Sequence, residues 1–246
     1  MDPTLPLVGM VKERARLDAA FRKREPLLLV GPAGSGKTRL LQEAAAAHPR
    51  VIYVAWQPKL HELLGAIARS MIAAGHLPLL RRARPGSDPE RWLAKQTSIH
   101  LKGLLWSAIE EAPLPIILDG VTGAGFPTYR FLQRIYHAPG MALFVASRDS
   151  ASMGVLGRLF WNPAKIVNVA PLNEHEAGQL FEAATGCFGL RDLDLDDFRG
   201  KVLENASGNP GQIIEMCRMA TRPEYRSGRY VKFAPLRIDT MIKFAG

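Results

Sequence analysis

Gly31-Pro32-Ala33-Gly34-Ser35-Gly36-Lys37-Thr38 follows the apolar run Leu27–Val30 and leads into an alanine-rich stretch, Thr38–Ala47. The pattern G-x-x-x-x-G-K-[ST] between a strand and a helix marks a phosphate-cradling loop. Its glycines let the chain turn tightly, so that backbone N–H groups can point inward at phosphate oxygens. The helix starting near Lys37 offers its positive end to the same phosphates. Lys37 suits neutralisation of the β- and γ-phosphates, and the Thr38 hydroxyl suits magnesium. Average residue usage yields such a match by chance in roughly one chain of this length in a hundred. The expected site is therefore one for ATP with Mg2+, built on Gly31, Pro32, Ala33, Gly34, Ser35, Gly36, Lys37, Thr38 and Arg39. An ordinary glycine turn joining strand to helix is the alternative.

Working outward, short apolar runs alternate with longer amphipathic stretches, which argues for βα units and a parallel sheet. The expected strands are Leu27–Val30, Val51–Ala55, Ile116–Asp119, Ala142–Ala146 and Lys165–Val169. The expected helices are Val11–Lys23, Thr38–Ala47, His61–Ala74, Glu90–Glu111 and Tyr129–His137, with Arg81–Pro89 a loop. Trp92 and Trp106, about four helical turns apart, would share a face of the fourth helix. From Leu172 to Thr221 the pattern is helical: Glu174–Thr185, Asp194–Asn205 and Gly211–Thr221. Asn173 and Glu176 have the spacing of a capping box. This divides the chain into a core (1–170), a helical lid (171–221) and a basic tail or small hairpin (222–246).

Pro115-Ile116-Ile117-Leu118-Asp119 is an apolar strand ending in an acid, which at the sheet edge beside the loop could hold magnesium through water. A turn-capping Asp before Gly120 is the bland reading. Gly120 cannot polarise water, so hydrolysis is expected to be slow, or to use a base from elsewhere, such as Glu110, Glu111, Asp149 or a partner's residue. Ser147 and Arg148 close the Ala142–Ala146 strand. If that strand neighbours the loop strand, they lie beside the γ-phosphate; otherwise Arg148 and Asp149 are a surface pair. Gly208-Asn209-Pro210-Gly211 opens the last lid helix, with Pro210 suited to its first turn.

The bulk numbers allow a large α/β domain with a small addition. The chain has 246 residues, 47% of them hydrophobic, and a formal charge of +9. No long apolar run and no signal peptide are visible. Two cysteines, Cys187 and Cys217, make neither a disulfide framework nor a metal site, and the cytoplasm is the expected setting. The six histidines do not share metal-ligand spacing. The excess of Lys and Arg favours polyanions, with Arg81–Arg84 and Arg222–Lys232 as candidate contacts; solvated loops are the alternative for both.

The order of these motifs resembles the AAA+ and STAND class of P-loop ATPases, over about Leu5 to Thr221. The parts are Pro6-Leu7-Val8-Gly9 with its following helix, GPAGSGKT, Val51–Ala55, PIILDG, the Ser147-Arg148 strand end, Pro171-Leu172-Asn173-Glu174-His175-Glu176-Ala177 and Ser207-Gly208-Asn209-Pro210. The resemblance implies sheet order 5-1-4-3-2, an adenine pocket at Val8 and Gly9, and a lid proline, Pro210, touching nucleotide. It also implies that Lys37, Asp119 and Arg148 serve the reaction, with Ser147 near the nucleotide and Thr38 and Asp119 near the metal. The chain departs from the pattern at Gly120, at Gly9-Met10 where an arginine is common, and at Gly211 where a lid arginine could fall.

The leading expectation is a nucleotide-controlled switch that oligomerises as a ring or filament and works with DNA and a protein partner, hydrolysing ATP slowly. A signalling ATPase that regulates protein without nucleic acid, its 222–246 segment docking a partner, is the alternative. A small-molecule kinase is a third, since the loop alone does not separate the classes.

Overall fold

A computed structural model describes residues 5–48, 50–82 and 88–245 of the chain. The chain folds as two units.

The larger unit, Lys12–Gly31 with Lys37–Asn168, contains a parallel sheet of β1 (Leu27–Val30), β2 (Ile52–Ala55), β3 (Pro115–Asp119), β4 (Ala142–Ser147) and β5 (Ile166–Asn168). The order is β2-β3-β4-β1-β5, the order the family resemblance implies. Helices α1 (Val11–Lys23), α2 (Lys37–Ala47), α3 (Leu60–Ala73), α4 (Leu77–Arg82), α5 (Pro89–Ala94), α6 (Ser98–Glu111) and α7 (Phe126–His137) accompany it, and three 3-10 turns occupy Ala151–Met153, Val155–Phe160 and Pro163–Lys165. All six residues of β4 are buried, as an inner strand covered on both faces requires. Phe21 of α1 stacks on Phe144 of β4, ring centroids 3.9 Å apart. Val30 pairs with Ser147, so the strand ending in Ser147 is the direct neighbour of the loop strand.

The expected helix Glu90–Glu111 is two helices, α5 and α6, so Trp92 and Trp106 share no helical face. Thr97 decides this: its side chain accepts from His100 N at 3.2 Å and starts α6 afresh. The expected Arg81–Pro89 loop is displaced at both ends, since Arg81 and Arg82 finish α4 and Pro89 begins α5; residues 83–87 lie outside the described residues.

The second unit comprises 1–11, Pro32–Gly36 and Val169–Gly246. It holds α8 (Glu174–Cys187), α9 (Leu195–Ala206), α10 (Pro210–Met219), a two-residue hairpin of β6 (Arg226–Ser227) and β7 (Tyr230–Val231), and α11 (Phe233–Ala245). Asn173 and Glu176 form the capping box in full. Part of the final segment is the expected hairpin, but Ile238–Phe244 belongs to a helix. Leu5, Leu180, Phe181, Phe198, Ile213 and Leu236 are among the buried residues of this unit's apolar core.

Candidate active site

Strand β1 ends one residue before Gly31, and α2 begins at Lys37, so the loop hangs between a buried strand and a helix start. Gly34 and Gly36 have φ of +80° and +93°, a backbone that side chains rarely adopt. Crowding adds to this. A Cβ at Gly34 would lie 2.5 Å from Phe244 Cε1 and 2.6 Å from Asn209 Oδ1, and one at Gly36 would lie 2.4 Å from Met10 Cε.

Two carbonyls at the crest of the loop are tied down. Asn209 Nδ2 donates to Ala33 O at 2.8 Å, and Gly211 N donates to Gly34 O at 2.9 Å. Asn209 Oδ1 meanwhile accepts from Gln212 N, capping α10. One asparagine thus starts a helix and pins the loop. Sequence reasoning singled out Pro210 and passed over Asn209 and the Gly211 amide; the Asn-Pro pair at a helix start was the available signal. Pro210 is buried and, with Pro32, Ser35 and Gly208, lines a cavity of about 410 Å³. Gly208 has φ +75°, and a Cβ there would sit 2.3 Å from Leu172 O. Val8 packs on the same unit's core, and Gly9, φ +71°, abuts Leu172 and Glu176.

In the larger unit, Lys37 Nζ donates to Gly31 O at 2.6 Å. Burial lowers the lysine's pKa from its ordinary value; nearby Asp119 works against this and nearby Arg148 with it. Lys37 therefore lies within electrostatic reach of both Asp119 and Arg148. Thr38 is exposed on the first turn of α2. Arg39 pairs with Glu43 one turn along, Nε to Oε1 3.0 Å. The Ser147 hydroxyl is buried in the chain's own network, 2.8 Å from Val121 O and 3.0 Å from Ser152 Oγ, and so does not point outward as a ligand donor. Asp119 ends β3, and its carboxylate accepts from Tyr53 Oη at 2.5 Å.

Two expected bases are misplaced. Glu110 and Glu111 end α6, before β3 begins, and about 13 Å of strand separates that edge from Asp119. Glu111 is engaged by Arg81 and by Arg82, the latter at 2.9 Å, and Glu110 pairs with Arg134. Asp149 Oδ1 accepts from Ser152 N at 2.6 Å. Gly120 has φ +77°.

The basic clusters are also less available than their composition suggests. Arg81 and Arg82 share Glu111, and Arg84 lies outside the described residues. Arg222 meets Glu224, and Arg226 meets Asp192. Trp161 is 81% exposed.

No family model and no curated protein sequence matches the chain. Solved structures do. Cdc6p from Pyrobaculum aerophilum superposes with a TM-score of 0.64 at 14% identity, covering 90% of this chain and 64% of that one. The chain has the AAA+ P-loop ATPase fold. Orc1 from Aeropyrum pernix, solved in complex with DNA, gives a TM-score of 0.57 at 15% identity, covering 97% of this chain and 66% of that one. A STAND protein of Pyrococcus horikoshii with a tetratricopeptide repeat sensor gives 0.55 at 19%, covering 98% of this chain and 33% of that one. The chain thus spans under two thirds of Cdc6p and a third of the STAND protein. Among the described residues no helix is long and apolar enough to cross a membrane.

Proposed function

We propose that the chain binds ATP with Mg2+ on Gly31–Thr38 and works as a nucleotide-controlled switch that hydrolyses slowly. The observation that carries this is the loop itself: two left-handed glycines ahead of a half-buried lysine within electrostatic reach of a strand-end aspartate. The backbone amides cradle the phosphates and Lys37 leaves Gly31 O to meet them, regaining a counter-charge for a buried ammonium. Asp119 and the Thr38 hydroxyl are the hard oxygen donors that would hold Mg2+, and they suit it. When bound, that ion neutralises phosphate charge. Arg148 adds positive charge beside the lysine. With Gly120 after Asp119, and Glu110 and Glu111 at the other end of β3, no second carboxylate follows Asp119 on β3 to orient water. Slow turnover follows.

Charge of +9 and the likeness to an Orc1 solved with DNA support a role on DNA. A protein partner is supported by α11, where Ile238, Met241 and Ile242 lie three and four residues apart and are all more than half exposed. The reading is tested by binding of a fluorescent ATP analogue. Lys37→Ala should weaken it at least about a hundredfold, as loss of a buried charged contact to phosphate does. Equal binding by the variant would end the proposal. DNA affinity that requires ATP and falls steeply with salt supports the DNA role; salt-insensitive or absent binding removes it.

A further inference from the structure

Asp119 does not stand alone at the end of β3. Its register partner on β2 is Ala55, and Tyr53 lies two residues earlier, opposite Ile117. Alternate residues of a strand share a face, so Tyr53 and Ala55 project to the same side. Ala55 is only a methyl group and leaves room above itself. A diagonal neighbour across two strands is within reach of an aromatic side chain. The phenol uses that reach: Tyr53 Oη donates to Asp119 Oδ2 at 2.5 Å. Gln42, on the helix that Lys37 begins, is a further polar neighbour of the phenol. Burial, and next the hydrogen bond to the Asp119 carboxylate, push the phenol's pKa well above its ordinary value. A phenol with its ordinary pKa of about 10 is already a donor at neutral pH.

We propose that Tyr53 is a positioning residue for the magnesium side of the site. Its hydroxyl occupies Asp119 Oδ2, fixes the carboxylate's rotation and presents Oδ1 for the ion's water shell. Gly120 brings no second carboxylate to this strand end, so the orientation of Asp119 decides how well magnesium is held. Gln42 extends the polar surroundings of the phenol to α2, the helix bearing Lys37 and Thr38. This rests on the nucleotide reading of the loop.

The test titrates MgCl2 against binding of a fluorescent ATP analogue to the full chain, read by anisotropy. Tyr53→Phe keeps the ring and removes one oxygen. It should leave metal-free affinity within about twofold and raise the half-saturating Mg2+ concentration roughly five- to tenfold, the net scale of one ordinary hydrogen bond. Asp119→Asn should abolish most of the Mg2+ enhancement. Wild-type Mg2+ dependence in Tyr53→Phe, with that enhancement lost in Asp119→Asn, overturns the proposal. So does an equal loss of metal-free and metal-loaded affinity, which marks a merely structural tyrosine. If Tyr53→Phe melts as an unfolded chain, Gln42→Met replaces it, with an expected shift of about twofold in the same direction; no shift there overturns the proposal. Undiminished binding by Lys37→Ala is a separate failure, that of the loop reading itself.

Discussion

Gly34 and Gly120 share a left-handed backbone, φ +80° and +77°, yet their surroundings are opposite. A Cβ at Gly34 would meet Phe244 and Asn209 at 2.5 and 2.6 Å. Around a Cβ at Gly120, nothing among the described residues lies within 4 Å. One glycine is demanded by backbone and by space, the other by backbone alone. The lesson concerns function as well as stability. The crest of the loop is clasped by two other segments of its own unit, whereas the position after Asp119 is open. Size does not keep an acid out of that open position. A side chain there would have to accept the left-handed turn, which costs an L-residue about 1–2 kcal/mol.

The largest effect should come from breaking the crowded case. Gly34→Ala adds left-handed strain to overpacking, together about 2–4 kcal/mol of stability, read by chemical denaturation. If the Phe244 ring is the obstacle, Phe244→Ala in the same chain should recover part of that loss, a coupling that a double-mutant cycle measures. Strict additivity would show that the Phe244 ring is not the obstacle, leaving backbone strain and the Asn209 amide to set the cost.

A middle-sized effect sharpens the comparison by asking what holds Phe244 in place. Its neighbour Lys243 reaches Glu215 at 2.9 Å, and Arg218 pairs with the same carboxylate. Burial pushes the Glu215 carboxyl up, but hydrogen bonds and charge from Arg218 and Lys243 outweigh it and leave its pKa below the ordinary 4.5. A depressed carboxylate stabilises the fold above its unfolded pKa, and the gain is lost as pH falls through the folded value. Glu215→Gln should therefore lower Tm at pH 7, and the gap to wild type should close as pH falls below about 4.5. A gap unchanged down to pH 3 would detach α11 from this ion pair.

Much of the site was legible in the chain, for a local reason. Eight consecutive residues carry the loop's chemistry, and the strand before and helix after them are written in apolar runs and alanines. Strand order, by contrast, came from the resemblance; no local pattern ranks β4 beside β1. The break at Thr97 escaped because Lys95-Gln96-Thr97 is polar enough to pass for a helix surface. What pattern reading missed entirely is non-local: Asn209 meets Ala33 across 176 positions, and Tyr53 meets Asp119 across 66. Such pairs are made by topology, and no spacing rule reports them. The same holds for surface charge. Arg81 and Arg82 look like an anion site until Glu111, placed beside them by the packing of α4 on α6, is seen to engage both.

The smallest effect probes the open glycine. Gly120→Ala places a methyl group in empty space, so its cost should be the left-handed backbone alone, about 1 kcal/mol. That is less than the Gly34→Ala cost, and Phe244→Ala should not alter it. Nucleotide binding should be unchanged, because alanine removes no group that touches phosphate or Asp119. Gly120→Glu goes one step further. It carries the same strain and supplies the missing carboxylate in a turn that need not aim it at water, so phosphate release should rise by less than about tenfold, far short of a well-positioned base. A rise of several hundredfold would mean that the turn relaxes when an acid is present, and that the residue rather than the backbone sets the proposed slow turnover.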